Sequence, residues 1–339
     1  MSAYIYLVFS FMRRIINTEQ GDKYYKITPL PLIKNTPSVP GYRGRFAPSP
    51  TGELHFGSLI AAVGSYLEAK SHDGEWLVRI EDLDKPREVP AASYKILRSL
   101  EALGMEWDHE VIYQDQRKDI YENVLTILKK RGLIYPCSCT RKEISSSSIA
   151  GVSGQIYAGT CRNIVQNDDS LGAVRIKTNN TIIGFEDTLY GLINQNLQNE
   201  TGDFILRRSD KIYAYQLAVV VDDSAQGITS VVRGSDLLDS TPRQIYLQKL
   251  LGYSTPTYMH LPVAVDNHGE KLSKQTKAAH LDVSNPVKQL IEAVNFLGQD
   301  PPIELARENV MSFWKWAFIN WNPGNIHKKE LFYSPPDKD

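Results

Sequence analysis

Arg45 to Leu59 reads R-F-A-P-S-P-T-G-E-L-H-F-G-S-L, a run whose residue types could hold a nucleotide. Pro48, Pro50 and Gly52 break regular structure, and Gly57 and Ser58 then open a helical pattern carried by Leu59, Ala62, Val63, Tyr66 and Leu67. A turn feeding a helix N-terminus presents free N–H groups and the positive end of the helix dipole, which suits a triphosphate. His55 can donate to phosphate oxygens there, and Gly57 lets adenine or ribose approach the backbone. Far downstream, Lys271-Leu272-Ser273-Lys274-Gln275 offers two ammonium groups and a hydroxyl in one loop. Taken singly these are a turn histidine and a solvated loop; paired, in this order, they point to a nucleotide site.

A second chemistry lies between them. Cys137-Ser138-Cys139 is followed by Tyr157 and Cys161, and these are all the cysteines of the chain. Zinc favours thiolate sulfur in a tetrahedral set of four. Three sulfurs are one short and no histidine lies nearby, so the fourth ligand is oxygen: the Tyr157 phenol, a carboxylate or water. Three buried thiols acting as small apolar groups are the alternative, but their confinement to one polar stretch favours a metal.

Positioning such groups calls for an alternating α/β framework. Trp76 to Ile80 reads as a short strand running into Glu81, Ala91 to Leu103 as a helix closed by Gly104, and Ile120 to Leu128 as a second helix ending at Gly132. Tyr213 to Asp222 is a nearly continuous apolar run, read as a strand buried on both faces. Ser230 to Arg233 reads as a strand, Pro242 to Leu251 as a helix, and Leu261 to Val265 as a last strand. The alternation implies an open α/β sheet whose ligands sit beyond the carboxyl ends of its strands, where Glu81, Asp222, Arg233 and Lys271 would fall. The predicted organisation is an N-terminal extension over 1–40, a first α/β half over 41–134, a polar insert over 135–204, and a second half over 205–282. A helical hairpin, Pro286 to Leu297 and Ile303 to Phe318, then leads into a loosely ordered tail from Trp321 within 283–339.

The totals are those of an ordinary soluble protein: 339 residues, 42% hydrophobic, 23% charged, net charge −1. No global basic field marks a polyanion partner, so RNA binding would rest on local patches. The odd cysteine count without a disulfide framework fits a reducing, cytoplasmic setting. The apolar run from Ala3 to Met12 is shorter than the roughly twenty residues a membrane span needs. It also lacks the flanks of a signal peptide, so no membrane partner is expected.

From about Gly44 to Ala278 the chain resembles the catalytic half of the class I glutamyl-tRNA synthetases, with His55-Phe56-Gly57-Ser58 and K-L-S-K-Q standing at their two signature motifs. More closely it is similar to the glutamyl-Q tRNA(Asp) synthetases, truncated paralogues that attach glutamate to queuosine in the anticodon of tRNA-Asp. The H-F-G-S spelling, C-x-C followed by Y-x-x-x-C, and the short run after K-L-S-K-Q carry this resemblance. It implies a Rossmann-type catalytic domain with a zinc-containing insert and a short C-terminal helical region. It also implies a ligase, a monomer, that activates L-glutamate with ATP and Mg²⁺ without tRNA and then transfers it to queuosine. The roles it implies are catalysis by His55, Lys271 and Lys274, and ATP binding by His55, Gly57, Ser58, Lys271, Ser273 and Lys274. Glutamate would be held by Arg45, Phe46, Ala47, Pro48, Ser49, Glu81, Tyr215 and Arg233, and one structural Zn²⁺ by Cys137, Cys139, Tyr157 and Cys161. The chemistry agrees: two guanidinium forks suit two carboxylates, and Glu81 suits an ammonium. Arg45 by itself could equally be a surface arginine, and the acidic Asp82 and Asp84 are left without a role. The rivals are a shortened glutamyl-tRNA synthetase charging the tRNA 3′ end, an inactive glutamate- or RNA-binding paralogue, and an adenylate-forming enzyme with another acceptor.

Overall fold

A computed structural model of the chain describes residues 41–151, 154–164, 172–265, 281–328 and 331–332. The extension over 1–40 and the K-L-S-K-Q loop therefore lie outside the described residues, as do 329–330 and 333–339 of the tail.

The first half begins with β1 (Arg43–Phe46), α1 (Phe56–Ser71) and β2 (Glu75–Ile80), followed by α2 (Ala92–Ala102), the two-residue β3 (Ile112–Tyr113) and α3 (Lys118–Lys130). Strand β2 pairs in parallel with β1 and β3. Such strands need crossover helices to return them, which is why strand and helix alternate. Helix α1 is buried along nearly its whole length. It approaches the sheet so closely that a Cβ on Gly64 would come within 2.5 Å of Leu261 Cδ1.

The insert follows with β4 (Ile134–Cys137), α4 (Arg141–Ser147), β5 (Ile149–Gly151), β6 (Gly154–Ile156) and β7 (Ala173–Ile176). It continues through β8 (Ile182–Asp187), β9 (Gly191–Asn196), α5 (Leu197–Glu200) and β10 (Ile205–Arg207). Strands β10, β7 and β4 form an antiparallel sheet of their own. The β8–β9 hairpin does not: β8 pairs in parallel with a strand of the second half.

That half holds α6 (Tyr215–Gln226), β11 (Ser230–Gly234), α7 (Thr241–Leu251), β12 (Thr257–Leu261) and β13 (Ala264–Val265). Strand β11 pairs with β12 in parallel, and β12 with β8. At the start of β11, Thr229 N–H donates to Arg43 O at 3.0 Å, and Arg43 N–H to Thr229 Oγ1 at 2.8 Å. Strand order is therefore β3-β2-β1, then β11-β12-β8-β9, with the reversal of direction in space falling between β1 and β11. Open α/β sheets bind ligands at this switch point.

Three sequence expectations change. Tyr213 to Asp222 is not a strand: its core is α6, closed by Gly227 in the left-handed conformation (φ 66°). Leu217 through Asp223 are all buried. A helix enclosed on every side has apolar residues at every position, and periodicity cannot then separate it from a central strand. Asp222 accordingly projects from a helix rather than a strand end. The strand expected at Leu261 to Val265 is β12, four residues upstream; Pro262 interrupts the chain before the short β13.

The C-terminal region is α8 (Pro286–Phe296), a 3-10 turn over Ile303–Arg307, α9 (Val310–Asn320) and β14 (Leu331–Phe332), which pairs with β13. The second helix starts later than expected because Asn309 caps it, accepting from Ser312 N–H at 2.9 Å. The tail is anchored at its start. Trp321 donates to Glu68 at 2.6 Å, Asn322 N–H donates to Gln299 Oε1 at 2.9 Å, and Ile326 is buried. Helix α9 braces the first half through Trp314, whose ring meets Tyr66 edge-on at 4.8 Å and whose indole donates to Leu103 O at 2.8 Å. No helix among the described residues is long and apolar enough to cross a membrane.

Trp314→Ala should lower the unfolding free energy by about 3–5 kcal/mol, the range for deleting a buried large aromatic. Urea denaturation checks it; a loss under about 1 kcal/mol would show that the C-terminal helices are not part of the cooperative unit.

Candidate active site

Between the carboxyl ends of β1 and β11 lies a cleft of about 630 Å³. Its walls include Arg45, Phe46, Ala47, Pro48 and Ser49 from β1 and the turn after it, and His55, Gly57 and Ser58 from the start of α1. Tyr215, Arg233 and the turn after β11 complete it. Thus every described residue of the predicted glutamate and nucleotide sets except Glu81 borders one cavity. The ring of Phe46 stacks on Trp76 in the core, which leaves its backbone to edge the cleft.

The side expected from sequence to hold a nucleotide is shaped by how α1 begins. His55 is its N-cap, in extended backbone, and Nδ1 accepts from Ser58 N–H at 3.4 Å. A ring that accepts at Nδ1 carries its proton on Nε2, so the imidazole keeps a donor. The first turn holds no acidic side chain, and the positive end of a sixteen-residue helix is left for an anion.

The other side is a set of buried charges. Arg45, expected from sequence to be either a ligand or a surface residue, is 3% exposed and pairs through Nε with Asp223 Oδ1 at 3.2 Å. Asp223 also accepts from Arg79 Nη1 at 2.7 Å, and that guanidinium reaches Gln226 Oε1 at 2.7 Å and Glu81 Oε1 at 3.3 Å. Burial works to raise Asp223, but the two guanidiniums outweigh it and hold the carboxyl below its usual range. Glu81 goes the other way, raised chiefly by its own burial. It borders not the cleft but an adjoining cavity of about 140 Å³, whose wall it shares with Ser49 and Thr51.

Arg233 is built differently. It is 5% exposed, and each of its partners is neutral: Tyr215 Oη at 3.1 Å, Thr241 Oγ1 at 2.7 Å, Leu237 O at 3.4 Å and His260 Nε2 at 3.1 Å. Because Nε2 accepts from the arginine, the His260 proton sits on Nδ1, which donates to Asp187 Oδ2 at 2.6 Å. Asp187 is fixed in turn by Leu189 and Tyr190 N–H, each at 3.0 Å. Burial foremost, with Arg233 beside it, depresses the His260 pKa and keeps the ring neutral. No carboxylate among the described residues lies within ion-pair distance of Arg233. A buried guanidinium surrounded by neutral groups is a place for an anion.

Sequence reasoning missed Arg79, Asp187 and His260. Arg79 and His260 had a signal, since each is a polar residue inside an otherwise apolar strand, W-L-V-R-I and Y-M-H-L. Asp187 had none.

In the insert, the sulfurs of Cys137, Cys139 and Cys161 lie within 4.8 Å of one another. The Tyr157 hydroxyl is 3.4 Å from Cys137 Sγ and 3.3 Å from Cys139 Sγ. A tetrahedral ion with bonds of about 2.3 Å spaces its sulfurs by about 3.8 Å, so the donor set fits zinc. Burial works to raise the Cys161 thiol, yet hydrogen bonding from Tyr157, Ser138 N–H and the other thiols brings it down to about 7. Burial and the same cluster push Cys139 up to about 11 and raise Tyr157, so Cys161 is the thiol that these contacts help to ionise.

The sequence model for the catalytic domain of class I tRNA synthetases (E and Q) matches residues 42–295. The chain belongs to that family. It is 52% identical over 296 residues to the glutamyl-Q tRNA(Asp) synthetase of Dechloromonas aromatica, covering 87% of this chain and 98% of that one. The protein of the same name from Aromatoleum aromaticum is 50% identical over 285 residues, covering 84% and 90% respectively. Among solved structures, a glutamate tRNA ligase from Elizabethkingia meningosepticum in complex with its amino acid superposes with a TM-score of 0.72 at 25% identity, over 87% of this chain and 67% of that one. As a class I synthetase the chain is a ligase with the family's Rossmann-type catalytic domain.

The neutral His260 gives a pH dependence of known sign. Its folded pKa lies below the unfolded value of about 6.5, so the unfolded chain binds the extra proton and stability falls as pH drops through that range. Unfolding free energies at pH 7 and pH 5.5 should differ less in His260→Gln than in the unaltered chain; an unchanged difference would show that His260 is not the group responsible.

Proposed function

We propose that the chain activates L-glutamate with ATP in the absence of tRNA, and transfers it to queuosine in the anticodon of tRNA-Asp. The observation that carries the amino-acid part is Arg233, buried at the cleft wall and held by neutral groups alone. Its cationic fork suits a side-chain carboxylate, with the Tyr215 hydroxyl alongside, and it disfavours the uncharged amide of glutamine. Arg45 lines the same cleft, its Nη1 3.5 Å from Val232 O. The ammonium is assigned to Ser49 and Glu81, on the wall that the cleft shares with the adjoining cavity.

In activation, an α-carboxylate oxygen attacks the α-phosphorus, the P–O bond to the β-phosphate breaks, and pyrophosphate leaves. The His55 Nε2–H and the N–H groups opening α1 bind phosphate oxygens as charge shifts onto them. Mg²⁺ bound with ATP neutralises phosphate charge. Lys271, Ser273 and Lys274 enter this reading from the sequence, as further donors to the phosphates. In transfer, a hydroxyl of the queuosine diol attacks the glutamyl carbonyl, its proton is lost, and AMP leaves, giving an ester. The relatives' names supply the acceptor, and those relatives are matched over 90–98% of their own length.

The acceptor is tested by digesting tRNA-Asp charged with labelled glutamate to nucleosides. The label should appear on queuosine, and queuosine-free tRNA-Asp should take none. Label on the 3′-terminal adenosine of tRNA-Glu would replace this reading with that of an ordinary glutamyl-tRNA synthetase.

The insert is proposed to hold one Zn²⁺ through Cys137, Cys139, Tyr157 and Cys161, as a structural ion that orders its chain. Elemental analysis of protein purified without a metal-binding tag should find one zinc per chain, lost in the double variant Cys137→Ser, Cys161→Ser. Metal-free native protein would refute it.

A further inference from the structure

A separate cavity of about 270 Å³ lies between the insert and the second half. Tyr157, Arg175 and Thr201 wall it on the insert side, Gln216 and Arg243 on the other. Gln216 follows Tyr215 of the cleft, so the first residues of α6 stand between the two cavities.

Its donors are unspent. Arg175 Nε, Arg243 Nε and Thr201 Oγ1 are buried without a hydrogen-bond partner among the described residues. Arg175 uses Nη1 on Asp203 O at 2.8 Å, and its Cζ lies over the Tyr157 ring, 3.9 Å from the centroid. Arg243 reaches only Ser240 Oγ, at 3.3 Å. Neither guanidinium has a carboxylate within ion-pair distance among the described residues. The carboxylate on the cavity wall, Asp203, is already committed: it accepts from Arg162 at 2.6 Å, Tyr135 at 2.7 Å, and Thr178 N–H and hydroxyl at 2.7 and 2.9 Å. Burial disfavours the charge on Arg243 and lowers its pKa. An anion in the cavity would offset that cost and bring negative charge beside two guanidiniums whose buried Nε groups are unpaired.

We propose that this cavity is a phosphate site for the RNA acceptor, in which a backbone phosphodiester seats between Arg243 and Arg175 with Thr201 donating to a further oxygen. Forked donors arriving from two walls suit a tetrahedral anion with several oxygens better than a planar carboxylate. Phosphate contacts set register without reading sequence, and this one would place the acceptor hydroxyl across α6, at the cleft. The inference rests on the RNA-acceptor reading above and adds to it where the backbone is gripped.

The full chain carrying Arg243→Gln tests it, assayed for glutamate-dependent pyrophosphate exchange and, separately, for glutamyl transfer to queuosine-containing tRNA-Asp across about 50–200 mM salt. Exchange should stay within about twofold of the unaltered chain, while kcat/KM for transfer falls about tenfold or more, the scale of one charge-assisted hydrogen bond. The slope of log kcat/KM against log salt should shrink by about 0.7, one single-strand phosphate contact, and Arg243→Lys should retain most of it. Unchanged transfer, or exchange and transfer falling by the same factor, would overturn the site. Should the unaltered chain perform exchange yet glutamylate no tRNA, the acceptor reading fails first; normal transfer with an indifferent Arg243→Gln sinks this site alone.

Discussion

One buried carboxylate, Asp223, holds two guanidiniums from two different strands, and the cleft exists because it does. Arg45 comes from β1, Arg79 from β2, and Asp223 from α6, so a single side chain joins the first half of the domain to the second. Its neighbour Asp222 lies 4.0 Å from the same Arg79 and also takes Gln114, Arg117 and Tyr121, which lie just before and within α3. Two consecutive acids on one helix thus pin it to both ends of the first half. Charges buried this way gain little net stability from the pairing, but removing one partner leaves an uncompensated charge and is costly. What the arrangement secures is position: Arg45 cannot swing out of the cleft wall.

The two cleft arginines are therefore unlike each other. Arg45 is neutralised by Asp223, whereas Arg233 faces the cleft with its charge uncancelled, oriented by a neutral His260 that Asp187 holds in one tautomer. A carboxylate in direct contact with Arg233 would have oriented it equally well and would have competed with an anionic ligand. Placing the carboxylate one imidazole away keeps the orientation and avoids the competition. It also ties the Arg233 end of the cleft to the β8–β9 hairpin, which bears Asp187 and arises within the insert's stretch of sequence.

Much of this was legible beforehand where the local signal is strong. Prolines and glycines marked the turn before α1, short apolar runs marked β2 and β11, and clustered cysteines marked a possible metal centre. The signal failed where tertiary enclosure erased periodicity: the run Leu217 to Val221 in α6 is apolar at every position because it is buried at every position, and it read as a strand. The surroundings of Arg233 were illegible for a different reason. His260 stood out as a polar residue in an apolar strand, but only the pairing of β8 with β12 and the packing of α7 bring it together with Thr241 and Asp187. Arg45 lay between these cases, since its type and motif were visible while the acid that buries it was 178 residues away.

That separation has a consequence for how the chain comes into being. Ribosomes deliver residues at about 5–20 per second, and domains tend to fold as their segments emerge. Here β1 and β2 are complete long before Asp223 exists, and sheet closure at that stage would enclose Arg79 with Glu81 at 3.3 Å and without its shorter pairing to Asp223. The first half therefore cannot complete its buried charge pairing by itself. High contact order is built into the site's electrostatics, which slows closure and lengthens the time that apolar strands stand open to misassociation.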